Sequence, residues 1–132
     1  MHQSCVKIVN EWDIVAARQL GRNVAKELGF GTVDQARITT AISELARNIY
    51  LYAGTGMVSI EKISEHGRDG MVIIAKDEGP GILDIRRVME DGYTTSGGLG
   101  AGLPGVKRLM DTFDIESTPG KGTEIRVTKW LR

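Results

Sequence analysis

At Gly54–Thr55–Gly56 the hydrophobic pattern of the chain changes its period, and that change limits the folds open to it. Upstream, apolar residues recur every three or four positions, the spacing of one helix face. Downstream they follow the two-residue period of strands, in short runs separated by turn residues. Two long helices therefore precede most of the strands. A doubly wound parallel sheet needs regular alternation of strand and helix, and this order does not supply it. The expected architecture is an α/β (α+β) two-layer sandwich: a mixed, mostly antiparallel sheet with its helices on one face.

The elements can be placed along the chain. Ser4–Val9 reads as a first strand. A helix is expected from about Asp13 to Leu28, its face lined by Ala17, Leu20, Val24 and Leu28 and its end marked by Gly29 and Gly31. Thr32 and Gln35 form a capping-box pattern that would open a second helix running to about Ala53. Its buried stripe would be Ile38, Ile42, Leu45, Ile49 and Tyr52. Met57–Ile63 and Met71–Asp77 read as strands around the turn SEHGRDG, the second with apolar residues at both parities and so buried on both faces. A short helix is expected near Asp84–Met89 and another over Leu103–Met110, where Pro104 suits the first turn. Phe113–Ser117 and Thr123–Trp130 complete a hairpin around TPGKG.

With 132 residues the chain is expected to form one domain, 1–132. Seventeen basic and seventeen acidic residues give zero formal net charge, which argues against a nucleic-acid binder that works through a broad positive field. The one cysteine, Cys5, cannot form an internal disulfide and suits a reducing compartment. The longest apolar runs are too short to cross a membrane. The N-terminus lacks a basic segment followed by an apolar one, so no secretion signal is expected and a cytoplasmic location is the default.

Three polar constellations interrupt this pattern. In SELARN, Glu44 and Asn48 lie four apart, hence on one helix face, beside the apolar stripe of Leu45 and Ile49. A carboxylate there could take a proton from a hydroxyl, and an amide oxygen could ligate Mg²⁺; a solvated face with a weak Glu44–Arg47 pair would look the same in sequence. In DEGPG, Asp77 ends a buried strand with the parity of Ile73 and Ala75. A partly buried carboxylate needs a donor, such as the exocyclic amine of adenine. Gly79 and Gly81 would let a flat ring approach the backbone. In GGLGAGLPGVK, Gly100 and Gly105 carry Walker A spacing, but Val106 stands where the lysine belongs. Clustered backbone N–H groups and the start of the following helix can still hold an anion.

The order E-x-x-x-N on a helix, D-x-G-x-G after a strand, then G-x-G-x-G opening a helix resembles the GHKL ATPases, the Bergerat fold of gyrase, Hsp90, histidine kinases and MutL. The resemblance covers nearly the whole chain. Its size and the string SELARN…DEGPGI…GGLGAGLPGVKRLMD…GKGTEI are similar to the anti-sigma-factor-type serine kinases, above all those of the bacterial stressosome. The resemblance implies roles at matched positions. Glu44 would be the general base acting on a protein serine, and Asn48 would hold Mg²⁺ on the ATP phosphates. Asp77 would take the adenine amine, with Gly79, Gly81 and Ile82 beside it and Thr123 near the base. Ile82–Ser96 would be the lid, offering Thr94, Thr95 and Ser96 to phosphate. Gly98, Leu99, Gly100, Ala101, Gly102 and Leu103 would form the phosphate-binding stretch.

By the same resemblance the cofactors would be ATP, leaving as ADP, and Mg²⁺. The substrates would be STAS-domain scaffold or antagonist proteins, and the released kinase would activate a downstream phosphatase or similar effector. No nucleic acid or membrane partner is expected. With only His2 and His66, at the terminus and in a turn, autophosphorylating histidine chemistry does not fit. Two alternatives stay open: an anti-sigma factor that binds a sigma subunit, and a nucleotide-gated adaptor with little phosphotransfer.

Overall fold

The alternation that begins at Gly56 builds one sheet. The computed structural model describes residues 3–82, Met89 and 102–132. Its strands are β1 (Gln3–Ile8), β2 (Gly56–Glu65), β3 (Arg68–Asp77), β4 (Thr112–Thr118) and β5 (Gly122–Trp130). Their spatial order is β1-β2-β3-β5-β4, and each neighbouring pair is antiparallel. The sheet is thus the limiting case of the mostly antiparallel one expected. Helices α1 (Glu11–Leu28), α2 (Thr32–Asn48) and α3 (Gly102–Leu109), with a π-helical segment Ile49–Ala53 after α2, complete the described elements.

The core lies where the helical stripes meet one parity of the strands. Val58 pairs with Ala75 and Ile60 with Ile73 across β2 and β3, and Ile73 and Ala75 pair with Val127 and Ile125 of β5. All six are at most 5% exposed. Ala17 and Ala25 of α1 and Ile38, Ile42 and Leu45 of α2 are buried in the same cluster. The two long helices approach closely at Gly21, where an added Cβ would collide with the Ile42 side chain. In the middle of β3, Met71, Val72 and Ile73 are all buried, as the double-parity run predicts; Lys76 toward its end is exposed.

Several boundaries differ from expectation for identifiable reasons. The capping box is not at Thr32 but at α1: the Asn10 side chain accepts from the Asp13 N–H at 3.2 Å, and Asp13 accepts from the Asn10 N–H at 3.1 Å. Helix α1 therefore starts at Glu11. Gly31 caps α2 with no side-chain bond, and Gln35 instead reaches the Phe30 carbonyl at 2.8 Å. The β2–β3 turn is only His66–Gly67, both at positive φ (53° and 77°), the two-residue hairpin geometry that matches strand twist. Residues 84–88, where a short helix was expected, lie outside the described residues.

Candidate functional site

The second helix does not end as a regular α-helix. After Asn48 the backbone widens into a π-helical segment, Ile49–Ala53, closed by Gly54 N–H to Ile49 O at 2.9 Å. The wider turn breaks the stripe that would have continued from Ile49 to Tyr52. Ile49 is buried at 2% exposure, whereas Tyr52 is 45% exposed. The expected burial of Tyr52 is therefore corrected: the spacing held only while the period stayed 3.6. π-helical turns of this kind occur often at functional sites.

Glu44 and Asn48 stand on the turn just before that widening. The Glu44 side chain is only 12% exposed, and its contact with Arg47 is loose, 3.6 Å from Oε1 to Nη1. A solvated helix face would not shelter the carboxylate this way. Asn48 is half-buried one turn further on. The two side chains thus occupy adjacent positions on one face, about 6 Å apart along the axis.

The other half of the site is the open end of the sheet. Asp77, the last residue of β3, lies between Gly56 of β2 and Thr123 of β5. It is half-buried, and its Oδ1 accepts the Gly79 N–H at 2.9 Å. That bond folds the chain back over the strand end and fixes the carboxylate through one of its two oxygens.

Glycines join the two halves. A Cβ on Gly56 would sit 2.6 Å from Ile49 Cγ2, and one on Gly79 would sit 2.6 Å from Ala53 Cβ. The π-helical segment that follows Asn48 is therefore pressed against the residues that flank Asp77. Gly81, with φ 77°, passes over the Thr118 carbonyl, and Gly122, with φ 133°, passes over the Asp77 carbonyl. At neither position would a side chain fit or the backbone tolerate one.

Ser117 was not singled out by sequence, yet it organises this corner. Its Oγ lies 2.7 Å from Thr123 Oγ1, accepts the Ile82 N–H at 2.7 Å and donates to the Gly122 carbonyl at 3.1 Å. Thr123, predicted near the base, is thereby held in place, and so is the start of the Ile82–Ser96 segment. The available signal was parity: Ser117 follows Phe113 and Ile115 on the inward side of β4.

Helix α3 opens at Gly102, φ 67°, and buries Leu103, Pro104 and Val106. Lys107 is exposed. Of the predicted site residues, Glu44, Asn48, Asp77, Gly79, Gly81, Ile82, Gly102, Leu103 and Thr123 are described. Thr94, Thr95, Ser96, Gly98, Leu99, Gly100 and Ala101 lie outside the described residues.

A sheet end of glycines and one fixed carboxylate, facing a helix end with a sheltered Glu and an Asn, defines a class of nucleotide-binding domain. Residues 33–132 match the model of the histidine kinase-, DNA gyrase B- and HSP90-like ATPases, and the chain belongs to that family. Over 98% of its length it is 75% identical to the serine/threonine-protein kinase RsbT of Bacillus subtilis (strain 168), covering 98% of that protein. It is 36% identical to an anti-sigma F factor of Caldanaerobacter subterraneus over 73% of this chain and 70% of that one. The crystal structure of the RsbU and RsbW domains of a Mycobacterium tuberculosis protein superposes with a TM-score of 0.66 at 16% identity. All of this chain and 34% of that longer one are covered, a likeness of fold.

Proposed function

We infer that this chain is an ATP-dependent protein serine/threonine kinase of the partner-switching type. The observation that carries the reading is the near full-length, 75% identity to a serine/threonine-protein kinase, in a chain that holds Glu44 sheltered beside Asn48. A module that only binds nucleotide has no use for a positioned base.

The residues present fit the nucleotide. Gly79, Gly81 and Gly122 let the backbone at the end of the sheet pack closely around Asp77 with no side chains of their own, and Asp77 offers a flat base a fixed acceptor. Among the described residues no cluster of three His, Cys, Asp or Glu could cage a metal. A Mg²⁺ held by Asn48 would draw its remaining ligands from phosphate and water, as this small octahedral ion commonly does. When bound, Mg²⁺ supplies charge neutralisation across the phosphates.

The transfer then has few parts. Asp77 and Thr123 set the position of the base, and Gly102 with the stretch before it receives the phosphates at the helix start. Glu44 takes the proton of the incoming serine hydroxyl as the serine oxygen bonds to the γ-phosphorus and the bond to the ADP oxygen breaks. Asn48 would hold the metal at the phosphate end, so positioning and electrostatics do most of the work.

The proposed substrates are STAS-domain scaffold or antagonist proteins. A phosphoryl group added at the docking surface brings about two negative charges and weakens the contact. The freed kinase then engages a downstream phosphatase or similar effector. The likeness to an anti-sigma F factor supports a second reading, in which the bound partner is a sigma subunit and only its antagonist is phosphorylated. Incubation with labelled ATP and purified STAS, sigma and phosphatase partners separates the two. Label on the STAS protein and stable binding to the phosphatase support the first; stable binding to sigma replaces it with the second.

A further inference from the structure

Far from the Glu44 end of α2, a lysine is buried in the face of the sheet that the helices cover. Lys129 of β5 has a side chain only 9% exposed. Its Nζ donates to the carbonyl of Leu109, the last residue of α3, at 3.0 Å. The same Nζ lies 3.9 Å from Asp34 Oδ1, in the first turn of α2, and 3.9 Å from Asp111 Oδ1. Burying a cation this deeply costs several kcal/mol unless it is paired and hydrogen-bonded, so its partners are the reason it can be there.

The partners define a strut. The positive charge meets the carbonyl end of α3 and the carboxylate at the amino end of α2, the favourable sign at both helix termini. Asp111 is secured independently, by the Trp130 N–H at 2.7 Å and Arg132 at 2.9 Å, and its own N–H bonds Thr128 O at 2.9 Å. Those bonds tie the end of α3 to β5; α2 and α3 also share the apolar core, and Lys129 adds the polar link that carries this cluster across to α2. Both helices aim their opposite ends at the nucleotide site: α2 carries Glu44 and Asn48, and α3 begins at Gly102.

We propose that Lys129 is a positioning residue for the phosphate end of the site, fixing α2 and α3 to one another at their far ends so that Asn48 and the start of α3 meet the same phosphates. The proposal deepens the kinase reading and rests on it. The adenine corner does not depend on this strut, since Ser117 and the glycine contacts hold it separately. Loss of the strut therefore acts on phosphate and not on base.

The test compares Lys129→Met and Lys129→Arg in the full chain, with ATP and adenosine affinities measured by calorimetry well below each melting temperature. Lys129→Met is expected to weaken ATP by about tenfold, as misplaced groups at a reacting centre do, while adenosine binds as to the wild type. Lys129→Arg, which keeps the charge, should restore most of the ATP affinity. Phosphotransfer by the same proteins should show kcat falling with the ATP affinity. Equal loss for ATP and adenosine, or no loss for ATP, overturns the proposal. Should Lys129→Met not fold, Asp34→Asn decides. It removes the α2 arm, together with the exposed Arg37 pair on the same Asp34 oxygen at 3.0 Å, and must still lower ATP affinity selectively; unchanged ATP binding in that variant overturns the strut. A wild-type chain that phosphorylates no STAS protein counts against the kinase reading, and the ATP-to-adenosine ratio still tests the strut.

Discussion

The corner around Asp77, proposed to take the adenine, and the turn of α2, proposed to carry the catalysis, are built from different materials. The corner around Asp77 is made of absences: Gly79, Gly81 and Gly122 stand where any side chain would strike Ala53, Thr118 or the Asp77 carbonyl. The turn of α2 is made of presences, a sheltered Glu44 and a half-buried Asn48. Shape recognition built from backbone is intolerant of added atoms. Chemistry carried by helix side chains can be removed without disturbing the frame. The contrast predicts opposite responses to mutation.

The largest effect is expected at the turn. Glu44→Gln should slow phosphotransfer to a STAS partner by on the order of a hundredfold or more, with melting temperature and ATP binding little changed. Parallel loss of stability would show that Glu44 belongs to the frame, which would erase the contrast. Gly122→Ala comes next and should behave in the reverse way. Its φ of 133° and the neighbouring Asp77 carbonyl leave no room for a methyl, so stability should fall by about 1–3 kcal/mol, and nucleotide binding with it. Denaturant melts with and without ATP would check this.

Asp77→Asn sharpens the comparison at single-atom scale. An asparagine keeps an oxygen for the Gly79 N–H but turns an amine toward the base amine. ATP affinity should drop about tenfold, corresponding to roughly 1–2 kcal/mol for an unmade hydrogen bond, with the fold intact. Unaltered affinity would remove the adenine role. The smallest effect is expected for Ser117→Ala, which frees Thr123 and the Ile82 N–H at a cost of about 1 kcal/mol. ATP affinity should fall a few-fold, and adenosine affinity equally, which distinguishes this residue from Lys129.

Much of this contrast could be read before any coordinates. Glu44 and Asn48 share a face because four residues make about one helical turn, and Asp77 shares parity with Ile73 and Ala75 because strands repeat every two. Tyr52 could not be placed, because nothing local announces that the helix will widen after Asn48. The capping-box pattern at Thr32 forms no box because α2 starts one place early for it, with Gly31 at the cap, while the Asn10–Asp13 box opens α1. Ser117 was legible as inward but not as a hub. Its partners Ile82 and Thr123 come from other segments.

Period, parity and the glycine positions are local properties, and the sequence alone determined them: two helices before the sheet, the order of the three motifs and the family they resemble. Contacts between distant segments are not local. That Gly79 meets Ala53, that Gly56 meets Ile49, and that Lys129 joins Leu109 to Asp34 were decided only when the sheet stacked against the helices. Each depends on close packing between elements far apart in the chain, where an ångström of displacement separates a fit from a collision.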